Sequence, residues 1–298
     1  MKKRIQTVIT LLLLTGVIST LQAQNFAWLH QLKGFYEEIK TDASGNVYVT
    51  GNFYGTYDFD PGTGVTELIS QGNYDVFVAK YVASGNLLNA KSFGGSSSDI
   101  GKTLQIDANG NVYISGTFNG TADFDPGSAI VNATSMGMED IFVLKLDDQL
   151  DYVWSHTIGG SLADFSNKIA VKNDKVIVVG AFTGTVDFDP TSAVDNYTSV
   201  GTRDGYALCL NATNGNYEWT RTYGGNAFNQ SESIVIENSN EIYVTGRFSG
   251  TYDFDHSAQT ADLTSYGPNS FVVQYDDSGN FLWVKGHITT TFSHFYSL

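Results

Sequence analysis

The sequence predicts an all-β protein, on three observations. First, one segment, GNVYVTGNFYGTYDFDPG at residues 45–62, returns as GNVYISGTFNGTADFDPG (110–127), KVIVVGAFTGTVDFDP (175–190) and EIYVTGRFSGTYDFDH (241–256). Its glycines Gly51, Gly116, Gly180 and Gly246 stand 65, 64 and 66 residues apart, a fixed period that marks a modular repeat protein. Second, the apolar runs are short, rich in Val, Ile, Tyr, Phe and Thr and punctuated by Gly, Asn and Asp, and no 3.6-residue stripe persists. Third, the VYVTG strand is apolar on both faces, with Val47, Val49 and Phe53 on one and Tyr48 and Thr50 on the other. A sheet covered on both sides suits radial stacking of blades, so the expected architecture is a β-propeller; a β-sandwich would show polar alternation on its outer faces.

Taken in order, residues 1–23 come first: Lys2, Lys3 and Arg4, an apolar run from Val8 to Ile18, then Leu21-Gln22-Ala23. This reads as a secretory signal peptide cut after Ala23, its apolar core being shorter than the ~20 residues of a spanning helix. Its removal leaves 13 basic against 31 acidic residues, a formal charge of −18. Such a surface repels nucleic acid and anionic membrane, and no membrane insertion is expected after cleavage. Cys209 is the only cysteine, so no internal disulfide can form and stability must come from packing, or packing plus metal.

The repeats occupy about 26–85, 86–149, 150–215 and 216–279, with the start of a fifth at 280–287 and a non-repeat tail at 288–298. Each begins with a Trp strand that ends in Gly-Gly, as in DYVWSHTIGG (151–160) and NYEWTRTYGG (216–225). A short strand follows (Thr103 to Asp107, Lys168 to Val171, Ser233 to Glu237), then a turn such as DASGN (42–46), DANGN (107–111) or DDSGN (276–280). In these turns Asp can close an Asx turn and Gly supplies positive φ. The VYVTG strand leads to the DFDPG corner, a variable stretch and a last strand such as DVFVAKY (75–81) or DIFVLKL (140–146). A four-stranded blade needs ~40–50 residues, so the surplus of roughly 15–25 falls after the corner and is expected to form an extra hairpin or loop on one rim.

This pattern, W…GG…D…GNVYVTG…DFDPG…D-x-F-V-x-K-[YL]…SGN, resembles the bacterial β-propeller repeats called SBBP repeats over residues 26–287. The resemblance implies a propeller of a secreted or surface protein, of the kind often found beside a sorting domain of type IX secretion. It says almost nothing about function. The sequence departs from the pattern at Asn89, where other repeats carry Trp154, Trp219 and Trp283, and at Lys33-Gly34, where others carry Gly-Gly; no sorting domain is recognised.

The candidate site residues are the corner pairs Asp58/Asp60, Asp123/Asp125, Asp187/Asp189 and Asp253/Asp255. Residues two apart on a strand face the same way, so each pair could begin a Ca²⁺ site of 6 to 8 oxygens while Phe59, Phe124, Phe188 or Phe254 anchors the other side. The plainer use of the carboxylates is to accept backbone N–H bonds at the corner. Four near-identical copies argue against acid/base catalysis, which needs two carboxyls in different environments. His30, His156, His256, His287 and His294 share no repeat slot, and no catalytic residue is assigned. GSSSDIGKT (95–103) misses the phosphate-loop spacing, and its slots elsewhere read SNKI and SESI. Cys209 fills the slot of Lys80, Lys145 and Gln274 and reads as a tolerated substitution. The register of the Trp residues assigns them to the core, which leaves Tyr74, Tyr197 and Tyr266 as the better surface aromatics.

The expectation is therefore a secreted or bacterial cell-surface, non-enzymatic scaffold that contacts a glycan or a protein through its rim loops. The alternatives are an extracellular polysaccharide lyase or hydrolase working from one-off residues in the central channel, and a structural repeat stabilised by Ca²⁺. Because the Trp strand appears both in FAWLHQLKG (26–34) and in NFLWVKG (280–286), and ITTTFSHFYSL (288–298) lacks the next Gly-Gly, the ring is expected to be incomplete.

Overall fold

The computed structural model describes residues 35–237 and 240–288, and contains no helix among them. The signal-peptide reading, the first Trp strand and all of the tail except Ile288 lie outside these residues. The first module holds β1 (Phe35–Thr41), β2 (Val47–Phe53), the short β3 (Thr56–Asp58) and β4 (Glu67–Ile69), β5 (Asp75–Tyr81) and β6 (Leu87–Gly95). The second holds β7 (Ile100–Ile106), β8 (Val112–Asp123), β9 (Asn132–Leu146) and β10 (Tyr152–Ile158). The third holds β11 (Phe165–Lys172), β12 (Lys175–Phe182), β13 (Thr185–Asp187), β14 (Asn196–Thr198), β15 (Asp204–Asn211) and β16 (Tyr217–Tyr223). The fourth holds β17 (Gln230–Ile236), β18 (Ile242–Asp253), β19 (Asp262–Tyr275) and β20 (Phe281–His287).

Each module is a four-stranded antiparallel meander, β1-β2-β5-β6 in the first and its counterparts in the others. The Trp strand is the last member of its sheet: β20 pairs with β19 and completes the fourth meander, so the sheets divide the period one strand later than the repeats as cut in the sequence. The surplus residues after the corner form the expected extra hairpin. It is a separate ribbon in β3/β4 and β13/β14, and a continuation of the main strands in β8/β9 and β18/β19.

The glycines that mark the period are places of close approach. The first strand of every module bulges at one residue, between Tyr36 and Glu38, Gly101 and Thr103, Ser166 and Lys168, and Ser231 and Ser233. The bulge presses a carbonyl oxygen onto the neighbouring strand. A Cβ at Gly51, Gly116, Gly180 or Gly246 would lie 1.9, 1.8, 1.9 or 2.2 Å from the oxygen of Phe35, Ile100, Phe165 or Gln230, which no side chain survives. In the Gly-Gly pairs the two glycines make room for different neighbours. At the first glycine a Cβ would strike the carboxylate of the same sheet, 2.9 Å from Asp75 Cγ at Gly94, 2.2 Å from Asp140 Cγ at Gly159 and 1.9 Å from Asp204 Cγ at Gly224. At the second it would strike the next module's ribbon, 1.9 Å from the Thr121 oxygen at Gly95 and 2.4 Å from the Thr185 oxygen at Gly160. There β6 hydrogen-bonds directly to β8, and Gly160 bridges to Val186.

Packing repeats with the same period. Phe53, Phe118, Phe182 and Phe248 occupy equivalent buried sites, each edge-to-face with its corner Phe at centroid distances of 5.5, 5.2, 5.2 and 5.7 Å. Phe77, Phe142, Tyr206 or Phe271 closes each trio. The first three sheets use both faces. Tyr48, Val76 and Val78 of the first module join Leu104, Ile114, Phe118 and Phe124 of the second in one core, and the second-to-third and third-to-fourth contacts repeat this. The first strands lie together, β1 against β7, β7 against β11 and β11 against β17, with no comparable packing of β17 onto β1 among the described residues. Phe182→Ala is expected to cost ~3–5 kcal/mol as a core truncation. Urea denaturation reads this directly, and an unmoved midpoint would refute the shared register.

Candidate functional site

The corner carboxylates are the first residues to place. Asp58 ends β3, and its Oδ1 accepts the amides of Asp60 at 3.0 Å and Thr66 at 2.8 Å. The other copies do the same: Asp123 takes Asp125 and Val131, Asp187 takes Asp189 and Asp195, and Asp253 takes Asp255 and Ala261, all at 2.7–3.1 Å. The second Asp of each pair caps its own turn, Asp60 on Gly62, Asp125 on Gly127, Asp189 on Thr191 and Asp255 on Ser257. One carboxylate thus fastens the corner to the far strand of its ribbon, and the other shapes the tip. The four pairs sit at four separate corners, one per module. Among the described residues no group of three or more His, Cys, Asp or Glu side chains is arranged to hold a metal ion.

His30 and His294 lie outside the described residues, and the other one-off residues can be placed. His156 is half-buried beside Trp154, where desolvation lowers its basicity, and His256 meets the Thr222 carbonyl at 2.9 Å. Cys209 is fully buried, and burial pushes its thiol well up, so no thiolate is available. Trp154 and Trp219 are buried in the inter-module cores, as their register predicts. The segment GSSSDIGKT is the lead-in to β7 and its first residues. Of the three surface tyrosines, Tyr266 is fully exposed, but Tyr197 packs on Phe188 and directs its hydroxyl to the Thr220 carbonyl, so it belongs to the core edge. The ribbon places it there: residues facing the sheet are drawn inward by the corner Phe.

Tyr74 stands in a cluster. Its ring lies 5.8 Å from Phe35 and 5.8 Å from Tyr54, both edge-on, and Phe35 and Tyr54 are 56% and 68% exposed. The same three slots carry Ile100, Asn119 and Glu139 in the second module, Phe165, Thr183 and Arg203 in the third, and Gln230, Ser249 and Pro268 in the fourth. An aromatic platform therefore occurs on the rim of one module only.

Sequence reasoning missed the set along the first strands. The bulged residues Glu37, Lys102, Asn167 and Glu232 are four copies of one slot, each 65 residues from the next, yet their chemistry is not kept. Lys102 pairs with Glu37 at 2.8 Å, Lys168 with Glu38, and Arg247 with Glu232 at 2.5 Å. The second of these joins the first module to the third. Beside them the Arg203 guanidinium stacks 4.2 Å from the Phe165 ring centre, over a cavity of about 220 Å³ lined by Lys102, Asn167, Arg203 and Gln230. The signal was present as the departure of one slot from an otherwise regular strand, but nothing in the sequence shows that these slots converge.

No family model matches the chain. It is similar to an uncharacterized WD repeat-containing protein of Acanthamoeba polyphaga mimivirus, 28% identical over 237 residues, which covers 70% of this chain and 17% of the relative. It is also similar to the regulatory protein FlaEY of Caulobacter vibrioides, 28% identical over 220 residues, covering 70% of this chain and 22% of the relative. The chain thus spans about a fifth of the length of the curated relatives it matches. The likeness is to a propeller-like repeat protein, in agreement with the all-β modules.

The corner geometry sets a test. Asp123→Ala removes the acceptor of two amides and is expected to cost about 1–3 kcal/mol, while Asp123→Asn keeps that acceptor and stays near wild type. Thermal melts in millimolar Ca²⁺ and in chelator check the second use of the carboxylate. An increment that Ca²⁺ adds to the wild type and that Asp123→Asn with Asp125→Asn removes would assign the pair to a metal.

Proposed function

We propose that the chain is an arc of a secreted β-propeller of the SBBP-repeat type, acting as a non-enzymatic binding scaffold at or beyond the bacterial cell surface. The propeller reading is supported by four stacked four-stranded meanders whose first strands lie side by side, and by the WD repeat-containing relative. The binding reading rests on one observation, the exposed rings of Phe35 and Tyr54 set edge-on to a half-buried Tyr74 on a single rim. Planar apolar faces beside hydroxyls suit the C–H face of a sugar ring, and clusters of exposed aromatics mark contact surfaces. A glycan is therefore the partner this rim fits best. The acidic surface turns nucleic acid away. The salt-paired charges along the first strands favour a second reading, a polysaccharide-active enzyme, because they are the unrepeated polar groups that such a site requires.

Glycan-array profiling followed by titration calorimetry tests this. Tyr54→Ala, which changes an exposed side chain, is expected to weaken binding of the captured glycan by roughly tenfold, the loss of about 1.4 kcal/mol of stacking. Unchanged affinity would remove the rim from the site, and cleavage of the bound glycan would replace the scaffold with the enzyme.

A further inference from the structure

Behind the Gly-Gly pairs lies a feature that neither the corner nor the rim uses. An aspartate opens β5 and β15, Asp75 and Asp204, and its counterpart Asp140 lies within the longer β9; the residue just before β7, β11 and β17 is Asp99, Asp164 or Asn229. All six are at least 97% buried. Each joint between neighbouring modules therefore brings two buried end groups together. In the first joint both reach one point, since a Cβ at Gly94 would lie 2.9 Å from Asp75 Cγ and 2.7 Å from Asp99 Oδ2. Backbone amides hold them there. Asp75 Oδ2 accepts Gln71 N at 2.8 Å, and Asp99 Oδ2 accepts Gly95 N at 2.7 Å. In the second joint Asp140 Oδ2 accepts Met136 N, and Asp164 accepts Gly160 N and Thr183 N, at 2.8–2.9 Å.

One oxygen in each of these two joints is left over. Asp75 Oδ1 and Asp140 Oδ1 are buried with no hydrogen-bond partner. A buried carboxylate oxygen facing a second carboxylate lacks a donor, and a proton is the missing part. The third joint shows what fills the place: there Asn229 Nδ2 donates to Asp204 Oδ1 at 3.4 Å, while Asn229 Oδ1 accepts Ser249 N at 2.8 Å. An asparagine amide has the shape of a protonated aspartate and carries its donor permanently. We propose that the Asp75/Asp99 and Asp140/Asp164 joints each bind one proton between the two carboxyls, so that two of the three described inter-module joints are tightened by mild acid, while in the third the Asn229 amide supplies the donor without a bound proton.

The surroundings agree with this. Burial raises Asp99 and Asp164 to about 7 and Asp140 to about 6, raises Asp75 as well, and the partner carboxylate pushes Asp99 and Asp164 further in the same direction. In the first joint Asp75 is the charge that acts on Asp99. In the second, Arg203 opposes the rise at Asp164, Glu139 acts on Arg203, and Tyr206 lies beside Asp164 with its hydroxyl held neutral by burial. The sign follows. A carboxyl whose folded value lies above its unfolded value of about 4 contributes stability that is fully present below about 4 and is lost as pH rises through about 7. His156 and His256, held neutral by burial, act in the opposite sense, so the wild type must be compared with variants.

Thermal melts between pH 5 and 8 of the wild type, Asp99→Asn, Asp164→Asn and the double variant test the proposal. The wild-type melting temperature is expected to fall by about 5 °C across that range, each asparagine to flatten the slope, and the double variant to melt above the wild type at pH 8. Slopes that the substitutions leave unchanged would overturn it. If the variants do not fold, infrared spectroscopy of the wild type decides. A protonated-carboxyl C=O band should persist at pH 6, where exposed carboxyls are ionised, and disappear by pH 8; no such band at pH 6 overturns the proposal.

Discussion

The whole period depends on one close approach, the bulged first strand pressing its carbonyl onto a glycine of the second. That contact leaves no room for a Cβ at Gly51, Gly116, Gly180 or Gly246, and it is why these glycines mark the repeat. A bulge turns its extra residue out of the ladder. In this protein the extra residues are Glu37, Lys102, Asn167 and Glu232, so one backbone device delivers four side chains of free chemistry to the strands that lie together. The constraint on the glycine is steric and absolute. The residue it displaces is under none, and the four copies differ accordingly.

The same division runs through each module. Slots that recur are those in which geometry dictates the side chain. The corner Asp fastens a ribbon, the corner Phe meets the ring two residues after the glycine, and the first glycine of each pair makes way for an aspartate. Slots that vary are those with solvent or a neighbour of changeable shape beside them, and the candidate contacts lie there. Phe35, Tyr54 and Tyr74 occupy three such slots of one module. Recurrence within one chain thus separates packing from chemistry without any comparison between proteins.

Joints between modules combine apolar stacking with polar closure at the Gly-Gly end. The apolar part is indifferent to pH, being buried Val, Ile, Leu and Phe. Polar closure depends on how the two end groups share hydrogens, and the joints differ in this although their backbones repeat. The polar end of each joint differs by one buried side chain, Asp99, Asp164 or Asn229. Repeat proteins sum the stabilities of units and interfaces, so a change at one interface is felt locally.

The sequence by itself determined the strands, their order within a module, the turns and the buried aromatic register, because these depend on contacts between residues close in the chain or one period apart. Asp42 with Gly45 was legible as an Asx turn and forms one, the Asp accepting Ser44 and Asn46 amides at 2.9 Å and Gly45 adopting φ of 80°. The corner pairs were legible as two carboxylates facing a turn, though not as a clasp reaching eight residues onward to Thr66, since that span depends on where the ribbon returns. Tyr197 resembled Tyr74 in sequence and differs from it in space for the same reason. Only the tertiary structure decided which side chains meet across modules. Glu38 and Lys168 are 130 residues apart, and Asp75 faces Asp99 across a joint whose geometry no local pattern encodes. Periodicity reports what each module does for itself; the meeting of unlike residues from different modules depends on the angle at which the sheets stack, and that angle is set by the summed packing of their faces.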